Sequence, residues 1–442
     1  MHSTTTPTLP AAASAAPTSA KGRRPEADAP VRWGIWAGFA IMLLVAPLVW
    51  SSSLAQTLLS QIGIAIIACL AYNILLGQGG MLSFGHAVYS GLGAYLAIHT
   101  LNAVAAGTWA LPVSLVPLVG GMAGLFFAAL LGYVTTRKSG TTFAMITLGM
   151  GELVWSMSLM LPEFFGGEGG VSGNRAVGAP MMGLSFGPQL QVYYLIALYC
   201  LVCTAAMYAL TRTPLGRMLN AVRDNPERVE YIGYSTRHVR YLAFMISGLF
   251  MGIAGGLGAL QFEIVTAEVV GTGRSGAYLL FVFLGGTATF HGPLIGAVLM
   301  VLALVLLSEL TPAWLLYLGL IFLAMVMYLP GGLASAIDML RQQWAGGGLR
   351  RLWRHHLAVL AAAVPPALGL SALIEMTYHR QLNGALDPSL PFFGLRLDIS
   401  VPAHWASAVL LLTIGAAVLR LACRAAVQAR SVAYPTKTQE AS

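Results

Sequence analysis

Residues 54–76 have the sequence LAQTLLSQIGIAIIACLAYNILL, an apolar stretch without a charged side chain. A helix needs about 20 such residues to cross the hydrocarbon core of a bilayer. The stretch is followed by the glycine-rich sequence GQGGMLSFGHA over residues 77–87. Because each glycine weakens a helix by about 1 kcal/mol relative to alanine, this pattern predicts a transmembrane helix that is followed by a break.

The same apolar character extends over the whole chain of 442 residues. Hydrophobic residues make up 57% and charged residues 9%, and the mean hydropathy is +0.75. A soluble domain has about 25% charged residues, because polar groups must cover its surface. The composition therefore excludes a soluble globular domain, a disordered chain, a collagen, a coiled coil and a disulfide-rich secreted protein.

Twelve apolar segments are predicted to span the membrane, ten in a core and two appended at the C-terminal side. The predicted fold is all-α, a polytopic transmembrane helical bundle. The segments are 31–50, 54–76, 81–101, 111–134, 141–161, 192–210, 241–262, 276–290, 293–308, 314–329, 355–374 and 403–421. Segment 276–290 is short and ends in Gly285-Gly286, so it is predicted either as a span or as a broken helix.

The chain divides into three predicted parts. Residues 1–30 form a disordered cytoplasmic tail, residues 31–340 the core, and residues 341–442 a basic linker, two further transmembrane helices and a cytoplasmic tail. Half of a ten-span core has five spans, an odd number, so a duplicated half would be inserted upside down. The glycine-rich segments Gly77–Tyr95 and Leu284–Gly296 suggest such an inverted repeat, but they do not occupy equivalent positions and leave it undecided.

The net charge of +8 arises from 24 basic and 16 acidic residues. With the N-terminus inside, the basic clusters follow even-numbered spans, as the positive-inside rule requires, and both termini are cytoplasmic. Because the arginines are scattered among short loops, the charge does not indicate nucleic-acid binding. Cys200 and Cys203 lie within an apolar span, where packing is favoured over redox chemistry.

The longest cytoplasmic loop of the core covers residues 211–240. Apolar residues recur there at helical spacing, and Pro226 and Gly233 are typical of helix boundaries. The pattern predicts two short amphipathic helices. They serve either as a docking element for another protein or as a membrane-surface segment.

Six ordered segments resemble the branched-chain amino acid permease family of ABC importers, in particular its LivM-like branch. In the loop, Glu227 and Gly233 match the pattern Glu-Ala-Ala-x-x-x-Gly, with Arg228 and Val229 at the two alanine positions. The other segments are Gly77–Tyr95, Thr147–Glu152, Gly166–Gly170, Leu284–Ala297 and Leu329–Leu333. The resemblance covers roughly residues 35–340.

The resemblance implies a permease subunit in the bacterial inner membrane that works by alternating access. Its implied partners are two ATP-binding cassette ATPase subunits, a second homologous permease, a periplasmic substrate-binding protein and membrane lipid. The implied coupling residues for the ATPase are Arg217, Arg223, Glu227 and Gly233.

Residues of the glycine-rich segment and one mid-span carboxylate are predicted to line the substrate pathway. They are Gln78, Ser83, Phe84, Gly85, His86, Tyr89 and Glu152. An acidic group at the centre of a span costs about 2.5–3.5 kcal/mol to insert, so Glu152 is expected to face the bundle interior. A purely structural role is the alternative for both His86 and Glu152.

The sequence contains no Gly-x-x-x-x-Gly-Lys-Ser/Thr motif, no metal-ligand spacing and no Gly-x-Ser-x-Gly motif. No cofactor, metal or catalytic residue is therefore predicted, and ATP hydrolysis is expected on a separate subunit. Branched-chain or related amino acids are the expected substrates. The alternatives are an ABC permease for an amide, urea or a sugar, and an ion-coupled secondary transporter.

Overall fold

The computed structural model describes residues 29–176, 185–329, 331–345, 348–382, 389–392 and 395–433, and the predicted tails at 1–28 and 434–442 lie outside them. The described chain is mostly helical, which confirms the predicted all-α class. The helices are α1 (Ala29–Val49), α2 (Ser53–Asn73), α3 (Ala87–Ala105), α4 (Val116–Thr135), α5 (Gly140–Met160), α6 (Pro162–Phe165), α7 (Gln189–Arg212), α8 (Pro214–Asp224), α9 (Pro226–Tyr231), α10 (Thr236–Phe262), α11 (Thr272–Gly285), α12 (Gly292–Val301), α13 (Ser308–Leu310), α14 (Trp314–Tyr328), α15 (Gly332–Ala345), α16 (Gly348–Leu382) and α17 (Pro402–Ala433). Two antiparallel pairs complete the fold, β1 (Val171–Ser172) with β2 (Ile264–Val265) and β3 (Ser389–Phe392) with β4 (Leu395–Asp398).

Among the described residues, eight helices are long and apolar enough to cross a membrane. The count is nine if the bent pair Trp314–Tyr328 and Gly332–Arg341 forms one span. The predicted twelve spans therefore exceed the number of full-length helices. Helix α11 has 14 residues, which is about 21 Å of helix against about 30 Å of hydrocarbon core. The broken-helix alternative for 276–290 is thus the one found.

Helix α10 occupies the centre of the bundle and packs closely on α3 and α4. Glycines line this contact, so that the backbones approach each other without intervening side chains. A Cβ atom at Gly93 would lie 2.7 Å from the Cα of Gly252, and one at Gly252 would lie 2.9 Å from the Cα of Gly124. These distances are too short for any side chain, and they fix the register of the three helices.

The bundle has two ends of different chemistry. The basic end carries Arg137, Lys138 and the loop between α7 and α10. The opposite end carries the β1–β2 pair, and there Arg175 donates hydrogen bonds to the carbonyls of Leu260 and Gln261. Helices α2, α4 and α7 run toward the basic end, whereas α5 and α10 run away from it.

The bundle contains two helix breaks, the first at residues 79–86 after α2 and the second at residues 263–271 after α10. Helix α2 continues as a π-helical turn (Ile74–Gln78) to the basic end, and residues 79–86 then return without helical structure to the start of α3. Helix α10 runs to the opposite end, and residues 263–271 return to the start of α11. The starts meet, since the Ala87 N–H donates to Ser275 Oγ at 2.9 Å. The two breaks thus run in opposite directions, as an inverted repeat would require.

The counterpart of the first break is therefore residues 263–271, and not Leu284–Gly296 as the glycine pattern suggested. The glycines of that second segment serve a different purpose. A Cβ on Gly285 would lie 2.7 Å from the Gly296 nitrogen, so these glycines allow α11 and α12 to pack at their junction.

Helices α16 and α17 form a hairpin at the C-terminal side, joined through the β3–β4 pair. A carboxylate of α16 contributes to the attachment of the hairpin to the core. Glu375 Oε1 accepts hydrogen bonds from the Thr311 hydroxyl at 2.5 Å and the Tyr317 hydroxyl at 3.0 Å. This contact joins the appended helices to α14 and the residues that precede it.

Candidate functional site

The first break is held by hydrogen bonds from the surrounding helices. Its backbone groups lack the partners that a continuous helix would supply, and buried backbone groups need partners. The bonds run from the Tyr72 hydroxyl to the Ser83 carbonyl (2.6 Å), from the Phe84 N–H to Thr147 Oγ1 (3.2 Å) and from the Ala87 N–H to Ser275 Oγ (2.9 Å). The break is thus fixed to α2, α5 and α11.

Gly85 brings the break into direct contact with α5. A Cβ at this position would collide with the carbonyl group of Thr147, and it would lie 3.3 Å from the backbone nitrogen of Gly151. Only glycine allows the approach. Residues 79–86 therefore lie directly against the helix that carries Glu152.

His86 and Tyr89 lie in the bundle interior. The Nε2 of His86 lies 2.8 Å from Ser247 Oγ, and the Ser247 hydroxyl donates to the Ala71 carbonyl at 2.5 Å. Because the single serine proton is directed to Ala71, Nε2 carries a hydrogen and donates to Ser247. The rings around His86 are those of Tyr72, Tyr89 and Phe244. This setting favours the structural alternative for His86.

The other predicted pathway residues of this segment differ in their burial and surroundings. Ser83 is buried, Phe84 is half-buried, and Gln78 is half-buried beside α8, where it lines a small gap with Leu215 and Leu219. None of the residues 78–89 lines the large cleft of the described chain. Their pathway role stays a prediction.

The large cleft has a volume of about 490 Å³ and lies between α5, residues 266–271 and α11. Three charged side chains line it: Glu152, Glu268 and Arg274. Both carboxylates are exposed, and Arg274 is half-buried. The ion pairs of the described residues lie elsewhere, between Arg223 and Asp224 and between His291 and Asp338.

The prediction that Glu152 faces the interior of its own bundle is wrong. Helix α5 directs Phe143, Thr147, Gly151 and Val154 inward, and Glu152 is exposed to the cleft. The sequence placed the residue correctly along the span, but it did not determine which side of α5 contacts the bundle.

Arg274 and Glu268 were not predicted as site residues. The eighth span was predicted to begin at residue 276, which placed both Arg274 and Glu268 in the loop before it. An arginine directly before an apolar run, within the sequence TGRSGAYLLFVF over residues 272–283, was the available signal.

The predicted amphipathic helices of the long loop are confirmed as α8 and α9. Thr213 Oγ1 accepts from the Gly216 N–H at 3.3 Å, and Asn225 Oδ1 accepts from the Arg228 N–H at 3.0 Å, so each helix has an N-cap. The buried face of the loop consists of Leu219, Val222 and Val229. Both helices are therefore held against the bundle.

The tip of the loop presents apolar side chains outward. Tyr231 is 88% exposed, Ile232 62% and Tyr234 54%. Gly233 lies among them with φ +89°, and a Cβ there would meet open space. Helix α9 ends at Tyr231, so the predicted helix boundary at Gly233 is confirmed, and a positive φ of this size favours glycine there. Glu227 and Arg217 are also exposed on the loop.

Arg223 differs from the other predicted coupling residues because it points toward the bundle. Its Nη1 donates to the carbonyl of Gly77, at the end of the α2 π-turn. A Cβ on Gly80, which has φ +62°, would lie 2.8 Å from the Arg223 Cγ. Arg223 thus joins α8 to the first helix break.

Comparisons with known proteins agree with this architecture. A family model described as branched-chain amino acid transport system / permease component matches residues 54–330. The chain is 28% identical over 319 residues (67% of this chain and 74% of the relative) to the high-affinity branched-chain amino acid transport system permease protein LivM of Escherichia coli (strain K12), and it has the same identity and coverage with LivM of Salmonella typhimurium. The fructose import permease protein FrcC of Rhizobium meliloti is 28% identical over 227 residues, 46% of this chain and 59% of the relative. No solved structure matches the chain. Because the family model covers more than half of the sequence, this multi-pass membrane protein belongs to the branched-chain amino acid transport system permease family and is a permease subunit of an ABC importer.

Proposed function

We propose that this permease imports branched-chain or closely related amino acids across the bacterial inner membrane by alternating access. Its partners are a second homologous permease, two ATP-binding cassette ATPase subunits and a periplasmic substrate-binding protein. The termini and the α8–α9 loop lie on the cytoplasmic side, where the positive-inside rule puts the basic end. The family and the LivM relatives support the substrate class.

The contact between Arg223 and the Gly77 carbonyl carries the mechanism. The ATPase binds the exposed tip at Tyr231–Tyr234 and the surface of α9. Because α8 and α9 pack on each other and on the bundle, a displacement of the tip moves α8. Arg223 then transmits the movement to the π-turn and to residues 79–86.

The movement reaches the cleft through two contacts of the break. Gly85 lies against the backbone of α5 at Thr147 and Gly151, next to Glu152. The start of α3 is hydrogen-bonded to Ser275, next to Arg274. The nucleotide state of the ATPase therefore changes the distance between the two walls of the cleft.

The open side of the cleft is covered by the second permease. Glu152 and Glu268 are exposed on the surface of this chain, and a charged side chain within the bilayer must face protein or water. A homologous subunit that packs on this side encloses the carboxylates and completes the substrate pathway.

Transport assays test the function. Cells that lack other leucine uptake systems express the chain together with its proposed partner subunits. We expect uptake of radiolabelled leucine that is lost when the chain is absent or when the P-loop lysine of the ATPase is replaced. Leucine uptake that survives the ATPase variant would support the ion-coupled alternative, and uptake of fructose instead of leucine would support a sugar permease.

A pull-down of the ATPase tests the docking loop. We expect Gly233→Trp to abolish ATPase recovery while the permease still inserts, because the bulky side chain strains the turn at φ +89° and occupies the exposed tip. Gly107→Trp is the matched control, since Gly107 has φ +73°, also in open space, at the other end of the bundle. Glu227→Ala should weaken recovery only slightly, because an exposed ion pair contributes about 0–1 kcal/mol. Undiminished recovery with Gly233→Trp would contradict docking and favour the membrane-surface alternative.

A further inference from the structure

The cleft combines both signs of charge with an apolar wall. Glu152 comes from α5, Glu268 from the turn before α11, and Arg274 from the first turn of α11. Trp155, Val269 and Leu304 provide apolar surface between them. The volume of about 490 Å³ is within the range of pockets for small molecules, about 300–1,000 Å³.

The charges of the cleft do not neutralise one another within this chain. No hydrogen bond or ion pair of the described residues joins Arg274 to Glu152 or Glu268. Glu152 lies near the middle of α5, and α5 has the length and composition of a membrane span. Because charged side chains at this depth are expensive, three of them around one cavity indicate a ligand or partner that carries complementary charges.

Arg274 lines the cleft and contacts one side chain of its own helix. Its Nε lies 3.4 Å from the Tyr278 hydroxyl, and its guanidinium carbon lies 5.8 Å from the centre of the Tyr278 ring. The two terminal nitrogens have no hydrogen-bond partner in the described chain, and their planar fork fits the two oxygens of a carboxylate.

We propose that this cleft is a transit site for a zwitterionic α-amino acid. Arg274 binds the α-carboxylate, Glu152 and Glu268 bind the α-ammonium group, and the wall of Trp155, Val269 and Leu304 contacts the aliphatic side chain. The assignment rests on the proposed function, which it extends by naming specificity-determining residues. A neutral sugar would leave all three charges uncompensated.

The position of the site connects binding to the helix break. Thr272, at the start of α11, lies close to Gly151 on α5, where Gly85 also packs. The carboxylate-binding wall and one ammonium-binding wall therefore meet at the break. A shift of residues 79–86 separates them and weakens both ionic contacts on the amino acid at once.

The test measures the initial rate of leucine uptake by the complete transporter at a leucine concentration below saturation, normalised to the amount of permease in the membrane. Losing a bidentate charge-assisted contact corresponds to at least about tenfold in affinity. We expect Arg274→Met to lower uptake by about that factor, and Arg274→Lys to recover part of it because the charge is kept. Glu152→Gln and Glu268→Gln should each lower uptake several-fold.

Glu309→Gln is the control, because this exposed glutamate of α13 does not line the cleft. Wild-type uptake in Arg274→Met or in both glutamine variants would overturn the site. Should Arg274→Met reduce permease abundance, Glu268→Gln still decides, since this side chain is exposed and has no described hydrogen bond. Failure of the proposed function has a different result, namely a wild-type transporter that does not import leucine.

Discussion

The two helix breaks differ in burial and in the charges beside them. Residues 79–86 are mostly buried among α2, α5 and α11, where the Ser83 carbonyl and the Phe84 N–H are bonded to side chains of α2 and α5, and the Ala87 N–H that follows is bonded to Ser275 of α11. Residues 263–271 lead into a cleft that exposes Glu268 and lies beside Arg274. The first break contacts the α8–α9 loop through Arg223, and no contact of this kind is described for the second.

The difference bears on two tasks, contact with substrate and transmission of movement, of which the sequence analysis gave only the first to the glycine-rich segment. The pathway role of residues 77–87 stays a prediction, and their buried contacts suit the transmitting role proposed above. The charged groups that suit a substrate lie beside the second break and on the outer side of α5. The predictions below test whether the first break transmits movement and whether it also contacts substrate.

The largest effect is expected from Gly85→Ala, which adds a methyl group within the buried first break. The added methyl group collides with the Thr147 carbonyl, a backbone group that cannot move without displacing α5. Overpacking of this kind costs about 1–3 kcal/mol. We expect a strong loss of folded permease, measured by size-exclusion chromatography of the detergent-solubilised protein, and a corresponding loss of uptake.

Gly319→Ala provides the comparison for this change. Gly319 lies in α14, and a Cβ there would meet open space, so abundance should remain at the wild-type level. If Gly85→Ala were as abundant as Gly319→Ala, the close contact between the break and α5 would not exist.

A more selective effect is expected from Arg223→Met, which cuts the link between the loop and the break while leaving the exposed tip intact. The carbonyl of Gly77 loses its charged donor, and a hydrogen bond to a charged group contributes about 1.5–3 kcal/mol. We expect ATPase recovery to be unchanged, uptake to fall about tenfold and ATP hydrolysis to continue without transport. Arg217→Met is the control for lost charge on α8, since Arg217 is exposed.

Reduced ATPase recovery with Arg223→Met would show that Arg223 contacts the ATPase, as the sequence resemblance implied. In that case the first break would need another connection to the loop. Normal uptake combined with normal ATPase recovery would show that Arg223 neither transmits movement to the first break nor contacts the ATPase.

Much of the architecture could be predicted because it depends on local patterns. Apolar runs gave the long helices, and the spacing of Leu219 and Val222 with the boundaries at Pro226 and Gly233 gave α8 and α9. Apolar runs predicted twelve spans against eight or nine full-length helices among the described residues, because apolar character does not report helix length when a break lies within the membrane. Helix α3 begins at Ala87 and α11 ends at Gly285, and both are shortened by such breaks.

The site was harder to predict because it depends on which helix faces meet. Nothing in the sequence around Glu152 distinguishes the side of α5 that packs on Gly85 from the side that opens to the cleft. Arg274 and Glu268 approach Glu152 through tertiary packing alone, since they are more than a hundred residues away along the chain. His86 was selected for its chemistry, and only its contacts reveal the structural setting.

The smallest effect is expected from Ser247→Ala, and it decides the role of His86. The change removes the acceptor of the His86 Nε2 hydrogen at 2.8 Å and leaves a buried N–H without a partner. An unsatisfied buried donor costs about 1–3 kcal/mol. We expect the thermal midpoint of the solubilised permease to fall by several degrees, because about 1 kcal/mol shifts the midpoint of a protein of this size by only a few degrees. Uptake per folded molecule should be unchanged, since the histidine ring is enclosed by Tyr72, Tyr89 and Phe244 and has no access to the cleft.

Ser308→Ala is the control, because the Ser308 hydroxyl bonds only to carbonyls of the preceding helical turn. A normal midpoint combined with reduced uptake would reverse the assignment and return the first break to the substrate pathway.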